Sequence, residues 1–182
     1  MSDVRDDSIP LLAMNAIRPA RLDDLPALSA IYNHYIIHTP VTFDLRPVTP
    51  EERRPWFDDH STKGRYCILV AEDADGLVIG CASSSRWRPK AAYDTTVECS
   101  VYCHPDHTGK GAGTRLYEAL FAALETEDIH RMVAGITTPN PASVALHERF
   151  GFQRVGEFTE VGRKFDRYWN VAWFERAMAH AH

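Results

Sequence analysis

Residues 107 to 115 read HTGKGAGTR, and the run behind them, LYEALFAAL, reads as a helix. Gly109, Gly111 and Gly113 open that helix, with Lys110 among them. A helix N-terminus carries unpaired amide hydrogens and the positive end of the helix dipole, so anions settle there. Glycines let the main chain approach a phosphate closely and adopt positive φ without strain. Gly109, Lys110, Gly111, Ala112, Gly113 and Thr114 are therefore expected to hold a phosphorylated ligand, Lys110 adding charge unless it is merely solvated. Two common phosphate patterns do not fit. A Walker A loop needs a lysine directly after its second glycine, whereas Ala112 follows Gly111. A dinucleotide fingerprint spaces its glycines G-x-G-x-x-G, and here the third arrives one residue early. On its own the turn leaves a second reading open, in which the glycines serve only tight packing.

Just upstream, DTTVECSVYCH reads as a strand. Alternation puts Glu98, Ser100 and Tyr102 on one face and Val97, Cys99 and Val101 on the other, the second expected to meet the core. Glu98 thus stands on the strand that leads into the glycine turn, where a carboxylate could take a proton from a reacting group. A solvated carboxylate or an ion-pair partner is the plainer alternative. The cysteines, Cys67, Cys81, Cys99 and Cys103, sit among apolar residues in strands and are expected to be small buried thiols. Within CSVYCHPDH, Cys99 and Cys103 lie roughly 13 Å apart at about 3.3 Å per strand residue. A zinc ion with bonds of about 2.3 Å cannot take both, so no metal is expected.

The elements that must position these residues can be read along the chain. Residues 1–14 are expected to be a flexible leader and residues 15–178 a single domain. AIRPA at 16 to 20 begins as a strand, and DDLPALSAIYNHYIIHT places Leu25, Leu28, Ile31, Tyr32, Tyr35 and Ile36 at helical spacing. VTPEERRPWFDDHST starts a second helix, with Thr49 as N-cap, Pro50 at its first position and Glu52 completing a capping box. Pro55 is expected to limit its length. YCILVAED and LVIGCASSSRW pair across Ala74, Asp75 and Gly76 as a hairpin. After the strand of Glu98 and the glycine-opened helix come a strand HRMVAGITT, a helix PASVALHERFG and two closing strands. The order β-α-α-β-β-β-α-β-α-β-β predicts an α+β fold, one sheet with helices packed on its faces.

The 182 residues suffice for one sizeable core, and 45% are apolar. No run approaches the roughly 20 apolar residues of a membrane helix, and the N-terminal stretch does not read as a signal peptide. Neither a membrane nor, at net charge −5, a phosphate backbone is an expected partner. Free thiols without an export signal point to the cytoplasm.

VECSVYCHPDHTGKGAGTRLYEAL resembles the coenzyme-binding motif Q/R-x-x-G-x-G/A of the GNAT superfamily of N-acetyltransferases, with Gly111 and Gly113 at its glycine positions. Thr108 stands where that family usually has glutamine or arginine. A second family motif follows as TPNPASVALHERFGF, with Asn140, Ser143, His147 and the Gly151-Phe152 pair in place. IYNHYIIHTPVTFDLRPVTPEE, WRPKAAYDTTVECSVYCHP and SVALHERFGF are similar to the subgroup that acetylates phosphinothricin, methionine sulfoximine and methionine sulfone. The likeness spans roughly residues 16 to 177.

The resemblance implies a GNAT-type mixed, mostly antiparallel sheet with helices on both faces, and acetyl-CoA as cosubstrate with its pyrophosphate in the glycine turn. It implies direct attack of a small amino-acid-like amine in a ternary complex. An amine of pKa about 8 to 10 is only roughly 0.1 to 10% neutral at pH 7, so a base helps; the resemblance makes Glu98 that base. Val101, Tyr102 and Cys103 would offer main-chain amides to the thioester and pantetheine. His147 stands where the family commonly has the tyrosine that protonates the departing thiolate; a hydrogen-bonded structural histidine is the alternative. Asn140 would bond the pantetheine arm or cap its helix, and Ser143 would join it in binding the coenzyme or serve one of the many ordinary uses of a serine early in a helix.

Arg88, Pro89 and Lys90 would border the acceptor, a cationic pair suiting a carboxylate or phosphinate, or be ordinary surface charge. Phe43 and Tyr35 would shape the pocket or lie in the core. His34, His38, His104 and His107 receive no assignment. A homodimer is also implied. Two other readings stay open: acetylation of another amine, such as a protein N-terminus or a polyamine, and a non-catalytic acetyl-CoA-binding module.

Overall fold

In a computed structural model, which describes residues 16–178, the chain runs β1 (Ala16–Pro19), α1 (Leu25–His38), α2 (Pro50–Asp58), β2 (Cys67–Glu72), β3 (Val78–Arg86), β4 (Thr96–Cys103), α3 (Ala112–Leu124), β5 (Arg131–Thr138), α4 (Pro141–Arg149), β6 (Gln153–Lys164) and β7 (Arg167–Ala177). The element order is the one read from the sequence. The expected leader, residues 1–14, lies outside the described residues.

The strands form one sheet in the order β1-β2-β3-β4-β5-β7-β6. Every neighbouring pair is antiparallel except β4 and β5. Strand alternation divides the side chains between two covered faces. Leu69, Ala71, Ala82, Val97 and Cys99 pack with Leu116, Leu120 and Leu124 of α3. Their neighbours Ile68, Val70 and Cys81 turn the other way, onto Leu28 of α1 and onto Trp56 and Phe57 of α2. Both faces of β4 are therefore shielded, and the face that carries Glu98 and Tyr102 is not a solvent face.

Local chemistry explains the helix that covers it. At the start of α2 the Thr49 hydroxyl accepts from the Glu52 amide while the Glu52 carboxylate accepts from the Thr49 amide. Pro55, expected to limit the length of α2, lies inside it, and the helix runs three residues further to Asp58. The amide that proline lacks is the one that would bond the Glu51 carbonyl, and Asp59 still donates to the Pro55 carbonyl at 3.1 Å. One bond is lost and the helix goes on.

Cys67, Cys81 and Cys99 are buried, Cys103 is half-buried, and all four are unpaired. Burial pushes the Cys81 thiol up to about 12 and the Cys103 thiol to about 11. They are inert packing groups.

Candidate active site

β4 and β5 begin as neighbours but pair only at Thr96↔Arg131, Val97↔Met132 and Glu98↔Val133. Beyond Glu98 they part, and a cleft of about 600 Å³ opens between them. Which main-chain groups face it follows from parity. The His104 amide donates across to Ile79 of β3 at 2.8 Å. Alternation then turns the main chain of Cys103 and Val101 to the opposite edge, the parted one. The Tyr35 hydroxyl donates to the Cys103 carbonyl at 2.7 Å from that side. The amide of Tyr102 points to β3 instead, so this residue does not offer the cleft the main-chain donor anticipated from sequence.

At the far end of β4 the chain turns into α3. Gly111 is the N-cap of that helix with φ of +86°, a left-handed conformation that costs an L-residue roughly 1–2 kcal/mol. The first bond of α3 runs from the Arg115 amide to the Gly111 carbonyl, which leaves the amides of Ala112, Gly113 and Thr114 without helical partners. Gly113 brings this end close to its neighbours: a β-carbon there would lie 3.4 Å from Leu146 Cδ2 and 3.8 Å from Cys103 Sγ. Gly109, Gly111, Ala112, Gly113 and Thr114 all line the cleft, as do Val101, Tyr102, Cys103, Tyr35, Asn140, Ser143 and His147. Lys110 does not; its ammonium donates to the Asp106 carbonyl at 2.8 Å.

Glu98 lies three residues up β4 from Val101, about 10 Å at about 3.3 Å per residue, outside the cleft lining. Its carboxylate makes no hydrogen bond or ion pair among the described residues. Burial alone raises its pKa above the ordinary 4.5. The exposed loop with Arg88, Pro89 and Lys90 starts one residue beyond the Arg86↔Val97 pair. That loop therefore stands at Glu98's end of β4, and the glycine turn at the other.

The family model "Acetyltransferase (GNAT) family" matches residues 28–152. The chain belongs to the GNAT acetyltransferase family. It is 52% identical to a phosphinothricin N-acetyltransferase of Streptomyces coelicolor, over 93% of this chain and 100% of that protein. It is 41% identical to an L-methionine sulfoximine/L-methionine sulfone acetyltransferase of Pseudomonas aeruginosa, over 88% and 92%. Among solved structures, yncA of Salmonella typhimurium with its cofactor acetyl-CoA superposes at a TM-score of 0.86 with 36% identity, covering 93% of this chain and 96% of that one. A GNAT superfamily phosphinothricin acetyltransferase of Sinorhizobium meliloti in complex with acetyl-CoA gives 0.86 and 31%, covering 90% and 88%.

Within this GNAT domain the histidine position has a geometry that sequence could not show. His147 is buried. Its Nδ1 lies 2.7 Å from the Ser143 carbonyl, which can only accept, so Nδ1 carries the proton. Nε2 lies 2.9 Å from the Tyr117 hydroxyl, which donates to it. Burial lowers the His147 pKa, opposed by the Ser143 carbonyl. A neutral imidazole held this way has no spare N–H for a thiolate. Tyr117, among the residues around the cleft but itself fully buried, is the partner of His147 that sequence reasoning missed, since a tyrosine within LYEALFAAL reads simply as core. Tyr117→Phe is expected to lower kcat about tenfold and to cost roughly 1–3 kcal/mol of stability, because His147 Nε2 is left buried without its donor. Steady-state kinetics and a thermal melt read both effects.

Asn140 does cap α4, its Oδ1 accepting from the Ser143 amide at 3.2 Å, which leaves the side-chain NH₂ outside the capping bond. Arg149 lines the cleft as well, a cation that no motif marked. Phe43 lies elsewhere, against the β6–β7 hairpin: a β-carbon at Gly162 would collide with its ring. Next to it, Lys164 Nζ donates to the Thr42 carbonyl at 2.8 Å. The α1–α2 loop is thereby tied to the hairpin, and Phe43 is held in place on that side.

Proposed function

We propose that this protein is an acetyl-CoA-dependent N-acetyltransferase that acts on the amine of a small amino-acid-like acceptor of the phosphinothricin, methionine sulfoximine or methionine sulfone type. The observation that carries this reading is the parted edge of β4, with open amides between a glycine-opened helix end and a half-buried carboxylate. Acetyl-CoA fits it. The unpaired amides of Ala112, Gly113 and Thr114 suit a pyrophosphate, and Gly113 keeps that surface free of side chain. When bound, acetyl-CoA supplies an activated acyl group.

The residues of the chain then have separable tasks. The Val101 and Cys103 amides offer hydrogen bonds to an acyl oxygen and the pantetheine arm, joined by the Asn140 NH₂. Glu98 receives the proton of the acceptor ammonium, its raised pKa improving the match to neutral pH. The buried, hydrogen-bonded Tyr117–His147 pair would supply the proton for the departing thiolate. Arg88 and Lys90 draw in the acidic group of the acceptor at Glu98's end of the strand.

Two neighbouring features support the remaining parts of the reading. Val155, Phe158, Val161, Phe165 and Tyr168 are exposed on the β6–β7 hairpin, an apolar surface that suits a second copy of the chain. Four unpaired thiols suit a reducing compartment such as the cytoplasm, and no helix among the described residues is long and apolar enough to cross a membrane.

A thiol-release assay over a panel of amines tests the proposal, run with and without Arg88→Ala. Amino-acid analogues, each carrying a carboxylate or phosphinate beside the amine, should turn over. Loss of one charge-assisted contact, about 1.5–3 kcal/mol, should raise their KM tenfold or more while the KM of acetyl-CoA stays unchanged. Turnover of polyamines or peptide N-termini instead would replace the acceptor class, and coenzyme binding without turnover of any amine would make the protein a binding module.

A further inference from the structure

We propose that Ser85 and His60 form a proton exit behind Glu98, a reading that rests on Glu98 as the base. Ser85 on β3 is the direct cross-strand partner of Glu98. Directly paired residues share a face, with β-carbons about 4.5–5.5 Å apart, so the Ser85 hydroxyl is within reach of the Glu98 carboxyl. On its far side Ser85 Oγ lies 2.9 Å from His60 Nε2. His60 Nδ1 lies 2.6 Å from the Trp56 carbonyl.

These distances fix the direction of every hydrogen. A carbonyl only accepts, so Nδ1 of a neutral His60 holds the ring proton and Nε2 is a free acceptor. Ser85 therefore donates to His60 and keeps its lone pairs for Glu98. Glu98 makes no hydrogen bond or ion pair among the described residues, so its contact with Ser85 would form by side-chain rotation across the paired strands. His60 is half-buried at the end of α2, its ring 5.1 Å from that of Trp56, so the chain of groups ends near solvent. Of the charged groups around it, Asp59 favours the imidazolium and Arg53 opposes it. Arg86, beside Ser85, is tied to Asp94 at 3.0 Å.

The transfer balances. Once Glu98 holds the proton taken from the ammonium, its O–H bond breaks as a new O–H bond forms on Ser85 Oγ. The original Ser85 hydrogen passes to His60 Nε2. Glu98 is again a carboxylate, Ser85 is again a hydroxyl, and His60 is an imidazolium that releases one proton to water. Without this exit the protonated carboxyl must wait for product to leave before it can be reset.

The test uses the full chain, acetyl-CoA and the fastest acceptor of the amine panel in weak buffer. His60→Gln keeps a polar partner for Ser85 but cannot relay a proton, and Ser85→Ala removes the middle link. Each should lower kcat roughly tenfold with both KM values unchanged, and the double variant should be no slower than either single one. Added imidazole should restore His60→Gln in proportion to its concentration and leave the unmodified protein unaffected, which a packing defect would not reproduce. A normal kcat in both single variants, or a loss that imidazole does not restore, overturns the relay. Glu98→Gln assayed alongside separates the two readings: a slow Glu98→Gln with a normal His60→Gln removes the relay alone, and a normal Glu98→Gln removes the base and the relay together.

Discussion

Glu98→Gln should lower kcat at least 10²-fold, the lower end for loss of a general base, and leave acetyl-CoA affinity unchanged. The separation of effects follows from where the side chain stands. It projects from β4 about 10 Å from the Val101 amide, at about 3.3 Å per residue, and is not among the residues that line the coenzyme cleft. The substitution keeps the volume and the hydrogen-bonding ends of the side chain, so the sheet around it has no reason to shift. Calorimetry with acetyl-CoA and single-turnover thiol release measure the two halves independently. Near-normal turnover from pH 6 to 9 would remove Glu98 from the mechanism.

The same carboxyl makes a stability prediction of opposite sign. Burial raises its pKa in the folded protein above the ordinary 4.5, so the folded state binds that proton more tightly than the unfolded chain does. Stability therefore falls as pH rises from the unfolded value through the folded one, and it stays lower above both. Glu98→Gln removes this cost. The variant should melt higher than the unmodified protein at pH 8, with the difference closing below the unfolded carboxylate pKa. The acid limb of kcat/KM should also lie at higher pH than an exposed glutamate would give, since only the carboxylate accepts a proton. A residue that destabilises the fold while serving the reaction is what a buried base should look like.

Much of this site was legible before any coordinates, and the reason is that its strongest signals are local. The capping box at Thr49 and Glu52, the alternation around Glu98 and the glycines from 109 to 113 each depend on residues within a few positions of one another. What sequence left unread depends on contacts between distant segments. The pairing of Tyr117 with His147 spans 30 residues and that of His60 with Ser85 spans 25, and in each case both partners have an ordinary reading by themselves. The parity of β4 is a subtler case. Alternation assigned its side chains correctly, but which amides face the cleft depends on where β3 pairs, and that removed Tyr102 from the expected donors. At Pro55 the local rule sets a limit but not the end point: α2 stops three residues later, because one missing bond at a solvent-facing turn is tolerable.

Replacement of Gly113 by glutamate should weaken acetyl-CoA binding about 10²-fold and leave the fold intact. A carboxylate in the first turn of a helix favours the dipole, and a β-carbon at this position meets Leu146 at 3.4 Å, the edge of ordinary contact. Folding therefore has little to lose. Binding has more, because the new charge stands where the free amides of α3 face an anion. At about 5 Å and an effective dielectric of about 20, one pair of like unit charges costs about 3 kcal/mol, which is the factor expected. Gly113→Gln carries the same bulk without the charge and separates the two contributions. If the glutamate variant binds much more weakly than the glutamine one, and the gap narrows with added salt, the α3 terminus holds the diphosphate electrostatically. Equal affinities for the two variants would mean that the glycine matters only for space, and the anion would then have to be held from another side of the cleft, where Arg149 is a cation in the lining.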